Sequence, residues 1–135
     1  MVNVNAIDHL VINVVDVERS CRWYQRVLGM QRLDYRVSPD RPRTALTFGY
    51  QRINLRPVGM PSEEWMTAKI AAIGSADLCF LTTLSVDEVV THLRACGEEI
   101  IDGPVRREGA RGSMTSVYCR DPDGSLVEIS SYGLT

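Results

Sequence analysis

Long apolar runs are missing from this 135-residue sequence. Nothing approaches the ~20 consecutive apolar residues that a membrane helix needs, so no membrane association is expected. An excess of charge of one sign is missing as well. Fifteen basic residues against seventeen acidic ones leave a net charge of -2, which argues against a nucleic-acid surface or an acidic tail. The first residues, MVNVNAIDHL, carry no basic leader followed by an apolar stretch, so secretion is not expected. No C-x-x-C occurs among Cys21, Cys79, Cys96 and Cys119. Two disulfides are one reading of four cysteines, and buried, reduced thiols in a cytoplasmic protein are the favoured one. What is present, 44% apolar and 24% charged residues, suits a single domain that buries a core.

The chain reads as the same unit twice. Ile7–Val14 is rich in Val and Ile and is expected to be a strand. Asp16 then caps a helix with Val17, Cys21, Tyr24 and Leu28 at helical spacing, ended by Gly29. Three strands follow, near Arg32–Val37, Arg43–Phe48 and Gln51–Arg56. The first module is set at residues 1–57. Residues 58–74, with Gly59, Pro61 and Gly74, form a linker with one helical turn expected around Glu63–Met66. The order then restarts in a second module, residues 75–135. Asp77–Thr83 is strand-like, and Ser85 with Glu88 makes a capping box. Val86, Val89, Val90 and Leu93 line a helical face up to Gly97. Strands near Glu98–Ile101, Met114–Cys119 and Leu126–Ser130 complete the unit, with a turn at Asp121-Pro122-Asp123-Gly124. His9 precedes Gly29 by the same interval as Asp77 precedes Gly97. Each half is therefore expected to be β-α-β-β-β, an α+β arrangement in which one sheet face packs on the helix and the other lies open. A ferredoxin-like sandwich would accommodate two helices but needs fewer strands.

Strand alternation sorts the side chains between faces. Leu10, Ile12 and Val14 go to the core, as do Ile53, Leu55, Val127 and Ile129. The open faces then hold His9, Asn54, Arg56, Asp77 and Glu128. An imidazole and two carboxylates can hold a divalent cation and leave coordination positions for substrate. Each residue also has a plainer reading: His9 as a half-buried strand histidine, Asp77 as an edge charge, Glu128 as the partner of an arginine.

Three stretches carry a family resemblance. They are Ile7-Asp8-His9-Leu10, the run from Trp23 to Met30, and the run from Arg120 through Asp121-Pro122-Asp123-Gly124 to Ile129. Together they resemble the vicinal-oxygen-chelate superfamily, the glyoxalase, bleomycin-resistance and extradiol-dioxygenase group. Residues 48–55 and 74–80 resemble its lactoylglutathione-lyase-like, glyoxalase-domain-containing members. The resemblance implies two β-α-β-β-β modules forming a cup-shaped open barrel around a metal, commonly in a homodimer. It also implies ligands on the first and last strands of each module. His9 and Glu128 match two of these positions. Asn54 stands where similar glyoxalases have glutamate, Asp77 where they have histidine, and Arg56 where close-looking relatives have histidine. The metal set implied is His9, Asp77 and Glu128, for Mn, Ni, Zn or Mg, with oxygen donors favouring Mn or Mg. A 2-His-1-carboxylate oxygenase set is not evident. Arg56 is expected to contact an anionic substrate instead of metal.

Arg106, Arg107 and Arg111 frame a glycine-rich stretch, either a basic loop over the site or a plain hairpin. Arg111, Asn54 and Tyr118 join Arg56 as candidate substrate contacts. Trp65 and Met66 could form a lid, a dimer contact or ordinary packing. The leading reading is a lyase- or isomerase-type metal enzyme acting on a small, oxygen-chelating anion. In it the ion stabilises an enolate or oxyanion, and Glu128 also moves a proton. The alternatives are a metal-free sequestering protein of the bleomycin-resistance kind, against which 7% aromatics speak mildly, and a scaffold whose cup is filled by side chains.

Overall fold

The structure, a computed structural model, describes residues 1–133. Its contacts divide into two compact units, residues 1–73 and 74 onward. In unit 1, β1 (His9–Val14), α1 (Val17–Leu28), β2 (Gln31–Arg36), β3 (Pro42–Phe48) and β4 (Gln51–Pro57) build a sheet of order β1-β4-β3-β2. In unit 2, β5 (Asp77–Leu81), α2 (Val86–Ala95), β6 (Asp102–Gly109), β7 (Gly112–Arg120) and β8 (Leu126–Ser131) repeat the plan as β5-β8-β7-β6. In each unit the first and last strands run parallel and the remaining pairs antiparallel. This is the α+β, twice β-α-β-β-β architecture of the glyoxalase-like fold.

Local chemistry sets the helix ends. The Asp16 side chain accepts from the Arg19 amide at 3.0 Å, satisfying an orphan donor of α1. Gly29, at φ 65°, takes the left-handed conformation that returns its amide to the last turn. At α2 both halves of the Ser85–Glu88 capping box are made. Cys21, Tyr24 and Val27 of α1 are buried in unit 1, together with Ile12, Leu46, Ile53 and Leu55 of its sheet. In unit 2, Val89 and Leu93 are buried along with Val117, Cys119, Val127 and Ile129. At roughly 1.5–3 kcal/mol per buried aliphatic side chain, these one-sided cores are the main stabilising element of each unit.

Three expectations are corrected. Residues 98–101 form no strand; the strand begins at Asp102 and runs to Gly109. The apolar pair Ile100-Ile101 drew the expectation forward. The actual strand lies at the sheet edge, where Pro104 and alternating charges are tolerated, so it lacks an apolar signature. The Arg106–Arg111 stretch is the resulting β6–β7 hairpin, with Gly109 paired to Gly112. The four cysteines are free, but only Cys21 and Cys119 are buried; Cys79 is exposed. The helical turn expected around Glu63–Met66 sits slightly earlier, with the Glu64 and Trp65 amides both donating to the Pro61 carbonyl.

Candidate functional site on the open sheet faces

In unit 1 the register β1–β4 sets His9 beside Arg52, Val11 beside Asn54 and Asn13 beside Arg56, so His9, Asn54 and Arg56 share the face turned away from α1. His9 is exposed, and its Nδ1 lies 2.8 Å from the Asp8 carboxylate. A carboxylate on one ring nitrogen orients an imidazole and leaves Nε2 for another partner. Asn54 is only 5% exposed, and its Oδ1 has no hydrogen-bond partner. An unpaired buried carbonyl costs about 1–3 kcal/mol, so this oxygen stands ready for a donor or a cation. Arg56 behaves differently from the expectation of an open cation. It is 3% exposed. Nε donates to the Trp65 carbonyl at 3.1 Å, Nη1 to Asn13 Oδ1 at 2.8 Å, and Nη2 to the Met60 carbonyl. The guanidinium pins the segment after β4 onto the sheet. Trp65 is buried there by ordinary packing within unit 1, under the Arg43 guanidinium at 3.9 Å, while Met66 is exposed.

In unit 2, Glu128 is flanked in register by Cys79 of β5 and Tyr118 of β7. Ser116 and Ser130, both fully buried, donate their hydroxyls to Glu128 Oε2 at 2.7 and 3.1 Å, and lie 2.7 Å from each other. Oε2 is thus clamped and Oε1 stands outside the clamp. Tyr118 Oη accepts from Arg107 Nε at 3.1 Å, which leaves the phenol's own hydrogen for the Glu128 carboxylate. Arg107 also donates to Asp102 at 3.2 Å. Burial pushes the Tyr118 phenol above its ordinary pKa; Arg107 opposes this and Glu128 adds to it. The Cys79 thiol is likewise raised by burial and sits 3.3 Å from Ser130 Oγ. Asp77 is exposed at the start of β5 and on the same face as Glu128. Arg111 lies at the hairpin tip, stacked on the Tyr132 ring at 4.4 Å.

The oxygen donors, an orphan amide oxygen and two carboxylates, suit a hard divalent cation, and the oriented imidazole suits a borderline one such as Zn or Ni. Among the described residues, neither unit by itself gathers three His, Cys, Asp or Glu side chains into a metal cluster. Sequence reasoning missed Ser116, Ser130 and the Arg107–Asp102 pair. Strand parity alone places Ser116 and Ser130 with Glu128, and that was the available signal.

The model of the glyoxalase/bleomycin resistance protein/dioxygenase superfamily matches residues 6–129. A curated relative, virulence protein STM3117 of Salmonella typhimurium (strain LT2), is 43% identical over 129 residues, 96% of this chain and 85% of that protein. Among solved structures, integron cassette protein VCH_CASS1 from the mobile metagenome of V. cholerae is 40% identical with a TM-score of 0.90, covering 98% of this chain and 99% of that one. Lactoylglutathione lyase from Agrobacterium tumefaciens, 21% identical with a TM-score of 0.71, covers 98% of this chain and 100% of its own and shares the fold. From the length of the family match and the identity to these relatives, the chain belongs to the glyoxalase/bleomycin resistance protein/dioxygenase superfamily.

Proposed function

We propose that the protein is a divalent-metal-dependent enzyme of lyase or isomerase type, acting on a small, oxygen-chelating anion. The observation that carries this reading is the clamp on Glu128: two buried serine hydroxyls both donate to one carboxylate oxygen, Oε2, and fix it in place. A carboxylate held in this way is preorganised to bind a cation or to take a proton. In this proposal His9, through Nε2, and Asp77 join Glu128 as metal donors. The metal, Mn, Ni, Zn or Mg, would polarise neighbouring substrate oxygens. The chain's own residues do the rest. Glu128 holds or moves the proton, Tyr118 donates to the developing oxyanion or back to Glu128, and Asn54 offers its unpaired oxygen to a substrate donor. Arg111 remains a candidate substrate contact at the hairpin tip. Arg56 acts at one remove, by fixing the segment that carries Trp65. A cytoplasmic homodimer is part of the same proposal.

The test is elemental analysis of protein purified without chelator or affinity tag, followed by calorimetric titration with Mn, Ni, Zn and Mg. Stoichiometric metal that His9→Ala abolishes supports the reading, and no metal binding in the titration overturns it. A second reading, a metal-free binding protein, is favoured by Asn54: a neutral amide oxygen, where a charged ligand would serve a cation better, suits an N–H or O–H of a bound molecule. Retention of a small molecule by the metal-free protein, lost in Asn54→Leu, would support it.

A further inference from the structure

Unit 1 holds a cavity of about 400 Å³ where β2 ends and β3 begins, within the range of small-molecule pockets. Its apolar side is made by Leu55, Pro57 and the Trp65 indole, and Tyr35 stands beside them. Arginines supply the polar side, and they are not equivalent. Arg32 closes on Glu18 with two contacts of 2.6 and 2.7 Å and on Asp34 through Nε, so two carboxylates match its charge. Arg36 donates Nη1 to the Pro39 carbonyl at 2.8 Å, and Arg43 donates Nη2 to the Glu64 carbonyl at 3.2 Å. Among the described residues neither of these two has a carboxylate partner within salt-bridge distance. The cavity therefore carries two guanidinium charges without a counter-ion, beside a flat aromatic wall.

We propose that this cavity binds a planar organic anion, with its carboxylate between Arg36 and Arg43 and its ring against Trp65. Arg36 lies opposite Pro42 and Arg43 opposite Tyr35, so the two side chains leave opposite faces of the sheet, and both line the one cavity because it sits where the β2–β3 ladder ends. A guanidinium edge matches carboxylate oxygens; the face of Arg43 is on the indole at 3.9 Å and Nη2 is on the Glu64 carbonyl, which leaves Nε and Nη1 for a carboxylate. The backbone that carries the wall is anchored in advance by the Arg56 bond to the Trp65 carbonyl. Binding then requires little ordering of the loop. The site is distinct from His9, Asn54 and Glu128, and it does not depend on the metal reading.

The probe is trans-cinnamate, with neutral cinnamyl alcohol as its uncharged counterpart, titrated into isotope-labelled full-length protein and followed by amide and indole NMR signals. The chain has two tryptophans, so the Trp65 indole is identified by its loss in Trp65→Phe. Saturable shifts at residues 34–36, 42–44 and Trp65 are expected. The alcohol should bind roughly tenfold or more weakly, and Arg43→Met, which keeps an aliphatic stem on Trp65, should weaken the acid by a similar factor. Equal binding of acid and alcohol by the unaltered protein would overturn the proposal, and that comparison needs no variant to fold. Shifts confined to His9, Asn54 or Glu128, or no saturable shift, would also overturn it.

Discussion

Arg56 Nε donates to the backbone carbonyl of Trp65 at 3.1 Å, tying β4 to the irregular chain that follows it. A side chain that strand parity assigns to the open face is thereby converted into a structural clamp. Arg56→Met should destabilise the protein by about 2–4 kcal/mol, because three acceptors lose a charged donor at once. Urea unfolding measures the loss. A red-shifted Trp65 emission before the main transition would show that the segment detaches first, whereas an unchanged midpoint would refute the clamp.

His9→Ala and Glu128→Gln should each lower divalent-metal affinity by at least ~10-fold, as expected when a ligand or its support is lost. Calorimetry reads this directly. Affinity equal to that of the unaltered protein in both variants would remove these residues from the centre.

Ser116→Ala combined with Ser130→Ala frees the clamped oxygen of Glu128. If the clamp positions the carboxylate, metal affinity should fall roughly tenfold. Stability to heat should fall as well, by about 3–6 kcal/mol for two lost hydrogen bonds to a carboxylate. Full metal affinity in the double variant would show that the serines merely satisfy one another.

Cys119 is fully buried, and burial pushes its thiol up to about 12 from an ordinary value of 9.0. Above pH 9 the unfolded thiol loses its proton while the folded one keeps it. Stability is therefore complete below pH 9 and declines as pH rises toward 12, by about 1.4 kcal/mol per pH unit from this group. Cys119→Ala should flatten that decline in alkaline urea titrations without altering the slope near neutrality. An identical alkaline slope in the variant would assign the decline elsewhere, with Cys21, also raised by burial, the next group to replace.

Much of the fold was legible in the sequence because its signals are local. Asp16 and the Ser85–Glu88 pair announce helix starts through side chains that reach only three residues, and alternation in β1, β4 and β8 assigns faces two residues at a time. β6 was illegible because an edge strand needs no apolar face, and the neighbouring Ile100-Ile101 imitated one. The fate of Arg56 depends on carbonyls up to nine residues away in irregular chain, which no periodicity records. Ser116 and Ser130 escaped for another reason. Serine is neutral to a hydrophobic pattern, and its value arises only from the carboxylate that β8 brings between them.

The parallel pairing of first and last strands has a consequence for synthesis. Asn13 and Arg56, bonded to each other, are separated by 43 positions, so the β1–β4 seam cannot close until nearly all of unit 1 has been translated. Such non-local closure is slow relative to helix formation. On the ribosome, α1 would form early and wait for its sheet. Unit 1 would then complete its seam while unit 2 was still emerging, making the duplicated plan a natural schedule for vectorial folding.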